Sequence, residues 1–126
     1  MMKERQDGLI INISSWSGNH VSLLSGVSYT SSKHALNAMT ETINMKYCNL
    51  GIRACALCPG EVSTAILDKR PKKLYKEQKD KMLQPDDLGE TIAFICQMPK
   101  HVCINELTIS PTWHRRYIAD LGIEEL

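Results

Sequence analysis

The chain has 126 residues, a length that allows at most one domain of modest size. Its 15 basic and 14 acidic side chains leave a formal net charge of +1, which gives no reason to expect nucleic acid or an anionic membrane as a partner. No apolar run reaches the roughly 20 residues of a spanning helix, and the first residues lack the apolar core of a signal peptide. We therefore expect a cytoplasmic protein.

Five cysteines, an odd number in a chain without a secretion signal, favour reduced thiols over disulfides. Cys55 and Cys58 have the spacing of a redox or zinc pair. The segment that contains them has the pattern of a strand, on which side chains three positions apart point to opposite faces. We therefore interpret both as buried apolar residues, and we predict no metal site.

The first predicted strand is Leu9–Ile13, a short apolar and β-branched run that is typical of a buried parallel strand. The small polar residues 14–19 follow, and they predict the loop that leaves this strand. Ligands of open α/β sheets bind at the carboxyl ends of the strands, and Ser15 lies at such an end. An ordinary loop or capping role is the alternative for this serine.

Residues 20–28 predict a loop that leads to the next helix. Leu23, Leu24 and Val27 could line a substrate pocket or simply pack as loop residues, and the sequence leaves both possibilities open. His20 could contact a substrate, although a histidine in such a loop is more often a surface residue.

A helix is predicted from Val27 to Asn49, because apolar residues recur there every three or four positions and Gly51 supplies a stop. Tyr29 and Lys33 are four positions apart and therefore share one face of this helix. A cation beside a phenol favours the phenolate, and a tyrosine in that setting can exchange a proton with a substrate oxygen. The helix therefore carries the candidate catalytic residues Tyr29 and Lys33 near its start and an apolar packing face beyond them.

The second predicted strand is Ile52–Leu57, and Cys58-Pro59-Gly60 ends it because proline cannot donate a ladder hydrogen bond. Residues 59–64 then predict a turn in which glycine lets the backbone approach a ligand closely. Taken alone, this segment is better interpreted as a strand-to-helix turn capped by Ser63 or Thr64.

The remaining segments predict structure more than chemistry. Residues 65–82 mix basic and acidic side chains, which indicates a solvated helical face. A helix is predicted from residue 84 to 99, with Pro85 in its first turn and two aspartates at its positive end. Residues 105–110 alternate like a last strand, and residues 118–126 predict a tail.

The order of these motifs resembles the short-chain dehydrogenase/reductase family. The resemblance runs from the first strand with Ser14-Ser15, through Tyr29-x-x-x-Lys33, to residues 59–64 and 107–109. A lone Tyr-x-x-x-Lys is common by chance, but three elements in order, each in its expected type of structure, are specific. The resemblance implies an α/β fold: a partial Rossmann-like, doubly wound parallel sheet in three α/β/α layers, with the amino-terminal half missing. Residues 1–126 would be the carboxy-terminal part of one NAD(P)-binding dehydrogenase domain.

The resemblance also implies an activity, hydride transfer between NAD or NADP and a small carbonyl or secondary alcohol. Tyr29 would be the acid/base, Lys33 would support it and bind the nicotinamide ribose, and Ser15 would polarise the substrate oxygen, with Ser14 as the fallback. The long helix, residues 27–49, would take part in a homo-oligomer contact. The implied cofactor-binding residues are Tyr29, Lys33, Pro59, Gly60, Val62 and Thr64.

The glycine-rich turn that holds the pyrophosphate in dinucleotide folds is not found in this sequence. Two hypotheses follow from the resemblance. The chain is an enzyme, complete or complemented by another chain, or it is a truncated, non-catalytic module that pairs with a full-length paralogue. Cofactor binding by this chain distinguishes the two. In this chain alone, without the missing strands, the Leu9–Ile13 strand would be an exposed apolar edge.

Overall fold

The computed structural model describes residues 1–69 and 73–123, which contain one parallel sheet. Its strands are β1 (Gly8–Ile13), β2 (Ile52–Pro59) and β3 (Glu106–Ile109), in the order β1-β2-β3. β1 pairs with residues 52–57 of β2, and β3 pairs with residues 56–59 on its other side. The predicted parallel α/β fold is therefore confirmed, with β2 at its centre.

Five α-helices surround the sheet in the described residues. The second of them begins at Val27, as predicted, but gives way after Tyr47 to a 3-10 turn at Cys48–Leu50, which ends at Gly51 with a φ of 67°. Two more 3-10 turns lie at Trp16–Gly18 and Ala65–Lys69. The helices are α1 (Met2–Arg5), α2 (Val27–Tyr47), α3 (Lys76–Asp80), α4 (Pro85–Gln97) and α5 (Arg115–Asp120).

The side chains of β2 alternate between its two faces. The Cys58 thiol contacts Asn37 of α2 at 3.8 Å, so the even-numbered residues of β2 face α2. Arg53 points the other way, and its guanidinium donates to the carbonyls of Pro99 and Val102, just beyond α4, at 3.1 and 3.2 Å. α2 and α4 therefore lie on opposite faces, which gives the predicted α/β/α layers.

The core follows from the central place of β2. Nearly all of this strand is buried, and single side chains from the flanking segments complete the core. The buried apolar residues are Ile52, Ala54, Cys55, Ala56, Leu57, Cys58, Leu67, Met82, Ile95 and Ile118.

The end of β2 and the predicted tail also differ from the prediction. β2 continues through Cys58 and Pro59, because proline at the last position of a strand removes no donor that the rest of the ladder needs. The predicted tail from residue 118 instead overlaps α5, which buries Ile118 against the core.

The charged segment is helical only in short pieces. The turn at Ala65–Lys69 and the helix α3 lie in it, and the Lys79 ammonium pairs with Asp68 at 2.6 Å. Residues 70–72 of this segment, two of them basic, lie outside the described residues, as do residues 124–126 of the predicted tail. Within the part of the chain that the structure describes, no helix has both the length and the apolar character needed to cross a membrane.

Candidate active site

The two serines after β1 are buried and have different partners. Ser14 extends the pairing with β2, since its N–H donates to the Leu57 carbonyl at 2.7 Å, and its hydroxyl donates to the Lys33 carbonyl at 3.4 Å. The Ser15 Oγ accepts the Ser17 N–H at 3.1 Å and so caps the turn at 16–18. Ser15 therefore has the capping role named as the alternative. Accepting that bond uses one lone pair and leaves the hydroxyl hydrogen able to donate.

Tyr29 and Lys33 lie on one face of the first turns of α2. The Lys33 ammonium donates to the Ile13 carbonyl at 3.1 Å and lies 5.6 Å from the centre of the Tyr29 ring. Because Ile13 is the last residue of β1, the ammonium sits at the carboxyl end of that strand, two residues before Ser15. The Tyr29 side chain is 46% exposed, which leaves the phenol open to a ligand.

The turn after β2 packs against the segment that follows β3. The Gly60 N–H donates to the Ile109 carbonyl at 2.7 Å, and a Cβ at this glycine would lie 3.2 Å from both Pro111 Cδ and Ser110 Cβ. The absent side chain therefore allows close packing against the segment that follows β3, a neighbour that the sequence did not indicate.

The rest of this turn is fixed on one side and open on the other. Val62 pairs with Leu83 in a single parallel bridge, and the Ser63 N–H donates to the Leu83 carbonyl at 2.8 Å. Thr64 is exposed, and its carbonyl accepts the Leu67 N–H at 3.0 Å, which starts the next 3-10 turn. Of the predicted contacts in this turn, the Thr64 side chain is thus the most accessible.

The loop between β1 and α2 contains the candidate substrate contacts, of which His20 packs against the protein and the apolar residues are exposed to solvent. The His20 ring stacks on Trp16, with centroids 4.2 Å apart. Leu23, Leu24 and Val27 are between 84% and 102% exposed, so they do not pack as buried loop residues. The alternative, that these three residues border a substrate pocket, stays a prediction.

A polar network that the sequence gave no reason to expect fixes the same loop. The Asn37 amide of α2 donates to the Asn19 Oδ1 at 3.0 Å, and Asn19 in turn donates to the Glu106 carboxylate at the start of β3. The loop that begins with the serines is thereby tied both to α2 and to β3. Asparagines at these positions have no local pattern, since each partner is distant in sequence.

Aromatic residues also gather beside Ser15. Trp16 contacts His114 with centroids 4.6 Å apart, and His114 stacks on Tyr117 at 4.1 Å. Burial lowers the pKa of His114; the Glu61 carboxylate opposes this effect, and Arg116 adds to it. The sequence contains no signal for this cluster, because its members come from opposite ends of the described chain.

The two cysteines of β2 are buried and unpaired. Cys55 and Cys58 are 1% and 0% exposed, and burial raises the pKa of the Cys55 thiol to about 11. Burial also raises the pKa of Cys58. Within residues 1–69 and 73–123, no group of three or more His, Cys, Asp or Glu side chains is arranged to hold a metal ion.

A parallel sheet with Ser15, Tyr29 and Lys33 near the carboxyl end of one strand defines a Rossmann-like α/β protein. A family model described as short chain dehydrogenase matches residues 1–74. The chain belongs to the short chain dehydrogenase family.

The relatives agree with this membership. The chain is 33% identical over 110 residues to an uncharacterized oxidoreductase of Staphylococcus aureus, an alignment that covers 87% of this chain and 45% of the relative. It is 36% identical over 123 residues to human dehydrogenase/reductase SDR family member 11, covering 88% of this chain and 46% of the relative. The chain thus spans about half the length of the relatives it matches.

The fold also matches solved structures. An alcohol dehydrogenase from Thermococcus sibiricus, complexed with 5-hydroxy-NADP, superimposes with a TM-score of 0.72 at 27% identity. That match covers 90% of this chain and 46% of the archaeal one. The three-stranded sheet described above is therefore a part of a dehydrogenase fold.

Proposed function

We propose that the protein is an oxidoreductase that transfers a hydride between NAD or NADP and a carbonyl compound or secondary alcohol. The observation that carries the proposal is the Lys33 ammonium, bonded to the last carbonyl of β1 and 5.6 Å from the centre of the Tyr29 ring. Relatives named as oxidoreductases support the reaction class. The nicotinamide-type cofactor of the archaeal alcohol dehydrogenase supports the choice of cofactor.

The residues present fit the nicotinamide end of such a cofactor. Lys33 uses one of its three N–H groups on Ile13, so two remain for the hydroxyls of a ribose. The Tyr29 phenol is accessible, and the Thr64 hydroxyl is exposed on the turn after β2. The backbone of Pro59, Gly60 and Val62 would complete this wall of the cofactor site. When bound, the nicotinamide supplies or accepts the hydride.

The chain's own groups would manage the proton and the substrate oxygen. In reduction, the Tyr29 hydroxyl gives its proton to the carbonyl oxygen, and solvent restores that proton afterwards. The positive charge of Lys33 stabilises the phenolate left behind. The Ser15 hydroxyl, free to donate, holds the same oxygen in place. In oxidation the proton moves in the opposite direction.

The proposal also covers the domain, the oligomeric state and the cellular location. Residues 1–126 correspond to the carboxy-terminal part of a single Rossmann-type NAD(P)-binding domain, as relatives of about twice the matched length suggest. The protein forms a homo-oligomer through α2, on which Met39 and Met45 are exposed. Free cysteines among the described residues support a cytoplasmic location.

The decisive experiment measures cofactor binding first. The purified chain is titrated with NADH and NADPH by fluorescence, alongside Lys33→Met and the matched control Lys46→Met, which changes an exposed lysine near the end of the same helix. We expect binding that weakens by about tenfold or more in Lys33→Met and not in the control, since charge-assisted bonds to the ribose are lost. No binding at about millimolar cofactor would overturn the proposal and favour the non-catalytic module.

Turnover tests the acid/base role separately. With a panel of ketones and aldehydes, Tyr29→Phe should lower kcat by about a hundredfold or more, because removing a general acid or base typically costs that much. Tyr75→Phe, at the 72% exposed tyrosine that precedes α3, is the control. Equal turnover in Tyr29→Phe and the unmodified chain would remove Tyr29 from the mechanism.

A further inference from the structure

Four aromatic rings join the turn after Ser15 to the last described helix. Trp16 stacks on His20 at an interplanar angle of 11°, and its other neighbours are His114 at 4.6 Å and Tyr117 at 6.1 Å. His114 precedes α5, and Tyr117 belongs to it. Trp16 directly follows Ser15. The cluster is therefore a continuous contact from α5 to the serine proposed to hold the substrate.

Ring contacts hold this cluster together, with one hydrogen bond between His20 Nδ1 and the Trp16 carbonyl at 3.1 Å. Trp16 Nε1 and His114 Nδ1 are both buried and have no hydrogen-bond partner among the described residues. Burial lowers the pKa of His114, because a charged ring away from water is costly. Of the charged groups around it, Glu61 favours the cation and is paired with Arg115 at 3.3 Å, whereas Arg116 and His20 oppose it. The neutral ring is the one that fits.

We infer that His114 is a positioning residue, whose ring holds Trp16 and through it the turn that fixes the Ser15 hydroxyl. The role of that hydroxyl rests on the proposed function, whereas the chain of contacts stands on the geometry. Within the turn, the Ser17 N–H donates to Ser15 Oγ at 3.1 Å and the Gly18 N–H to the Ser15 carbonyl at 2.8 Å. If Trp16 moves, both bonds open together.

The same arrangement makes the turn sensitive to acid. The folded chain binds a proton at His114 more weakly than the unfolded chain does, since the pKa is lowered on folding. The stabilising effect of the neutral ring is therefore complete above the ordinary histidine pKa of about 6.5. It is lost as the pH falls below that value toward the lowered pKa.

Amide hydrogen exchange measured by NMR reads the turn without relying on activity. In His114→Ala we expect exchange at the Ser17 and Gly18 amides to accelerate by about tenfold, the weight of one well-packed aromatic pair. His114→Phe keeps a ring and should stay near the native rates. His101→Ala, at an exposed histidine after α4, is the matched control. Native exchange rates at both amides in His114→Ala would overturn the inference.

Tyr117→Ala covers the case in which His114→Ala does not fold. Tyr117 is half-exposed, stacks on His114 and also contacts the edge of Trp16, so its removal loosens the same cluster at less risk to the core. It should accelerate exchange at the same two amides, and unchanged rates would again contradict the inference.

Turnover separates the two proposals. In active protein, His114→Ala should lower kcat while the KM for the cofactor stays unchanged, and His114→Phe should restore kcat and remove the loss of kcat in acid. Accelerated exchange without any turnover by the unmodified chain would sustain the positioning role and end the proposed reaction. Turnover with a kcat that is indifferent to His114→Ala would end the positioning role alone.

Discussion

Lys33 shows how a single side chain links a strand to a helix. Its ammonium donates to the Ile13 carbonyl at 3.1 Å, where β1 ends, while its backbone carbonyl accepts the Ser14 hydroxyl at 3.4 Å. A hydrogen bond from a charged donor is about twice as strong as one between neutral groups. These bonds therefore hold the lysine next to the phenol of Tyr29, where its ammonium is still accessible to solvent.

The cysteines of β2 give a test of burial at the scale of single residues. The thiolate is the reactive form, and burial raises the pKa of Cys55 to about 11 and that of Cys58 above its usual value. Cys48 and Cys96 are exposed. In mildly alkaline buffer, iodoacetamide should modify the exposed pair roughly a hundredfold faster than Cys55, because each pKa unit changes the thiolate fraction tenfold.

Peptide mass spectrometry over a time course measures these rates. A sample unfolded in urea serves as the control, because all five thiols should then react at similar rates. Modification of Cys55 in the native protein as fast as Cys48 would contradict the buried position of β2.

At the scale of elements, one asparagine side chain makes the backbone hydrogen bonds that a neighbouring strand would otherwise make to β2. β3 begins opposite Ala56, so within the described residues the backbone of Ala54 has no strand neighbour on that side of β2. The Asn44 side chain of α2 takes that place. Its Nδ2 donates to the Ala54 carbonyl at 2.8 Å, and its Oδ1 accepts the Ala54 N–H at 2.7 Å. The helix is thereby attached to the central strand through the backbone.

Asn44→Ala should destabilise the fold. Ala54 is fully buried, and the substitution leaves its N–H and carbonyl without these partners, which costs about 2–3 kcal/mol for groups away from water. Urea unfolding followed by circular dichroism measures the change. Asn49→Ala, at an exposed residue of the turn after α2, is the matched control and should stay within about 0.5 kcal/mol of the unmodified chain. An equally small effect for Asn44→Ala would show that the two bonds contribute little.

Local patterns predicted the elements that have strong ones. The spacing of apolar residues predicted α2, and the β-branched run predicted β1, because each of these signals lies within a short stretch of the sequence. α5 escaped prediction since it has only six residues and buries only Ile118. The sequence predicts too early an end for β2, because Pro59 indicates a stop and yet occupies the last position of the strand.

The candidate site likewise contains features that local sequence patterns predict and features that they do not. The shared face of Tyr29 and Lys33 follows from helical spacing and is present. The packing of Gly60 against Ser110, and the contact of Trp16 with His114, join segments that are far apart in the sequence. No local pattern encodes such contacts, so only the folded chain reveals them.

At the scale of the whole molecule, apolar surface remains open in two places. β1 lies at an edge of the sheet in the described residues, and Ile13 at its end is 43% exposed. Unpaired strand edges favour association with other chains. On α2, Met39 and Met45 are 49% and 76% exposed. Each surface could carry a contact between copies of the chain, and a charge placed on one or the other tells them apart.

We expect the proposed homo-oligomer to depend on α2. Burying a methionine side chain contributes about 1.5–3 kcal/mol, and a lysine in its place must also be desolvated. Met45→Lys should therefore raise the dissociation constant by about tenfold or more, a shift measured by sedimentation equilibrium over a range of protein concentrations. Ile13→Lys is the matched variant on the strand edge and should leave the dissociation constant unchanged. The opposite pattern, dissociation by Ile13→Lys and none by Met45→Lys, would move the contact from α2 to the open edge of β1.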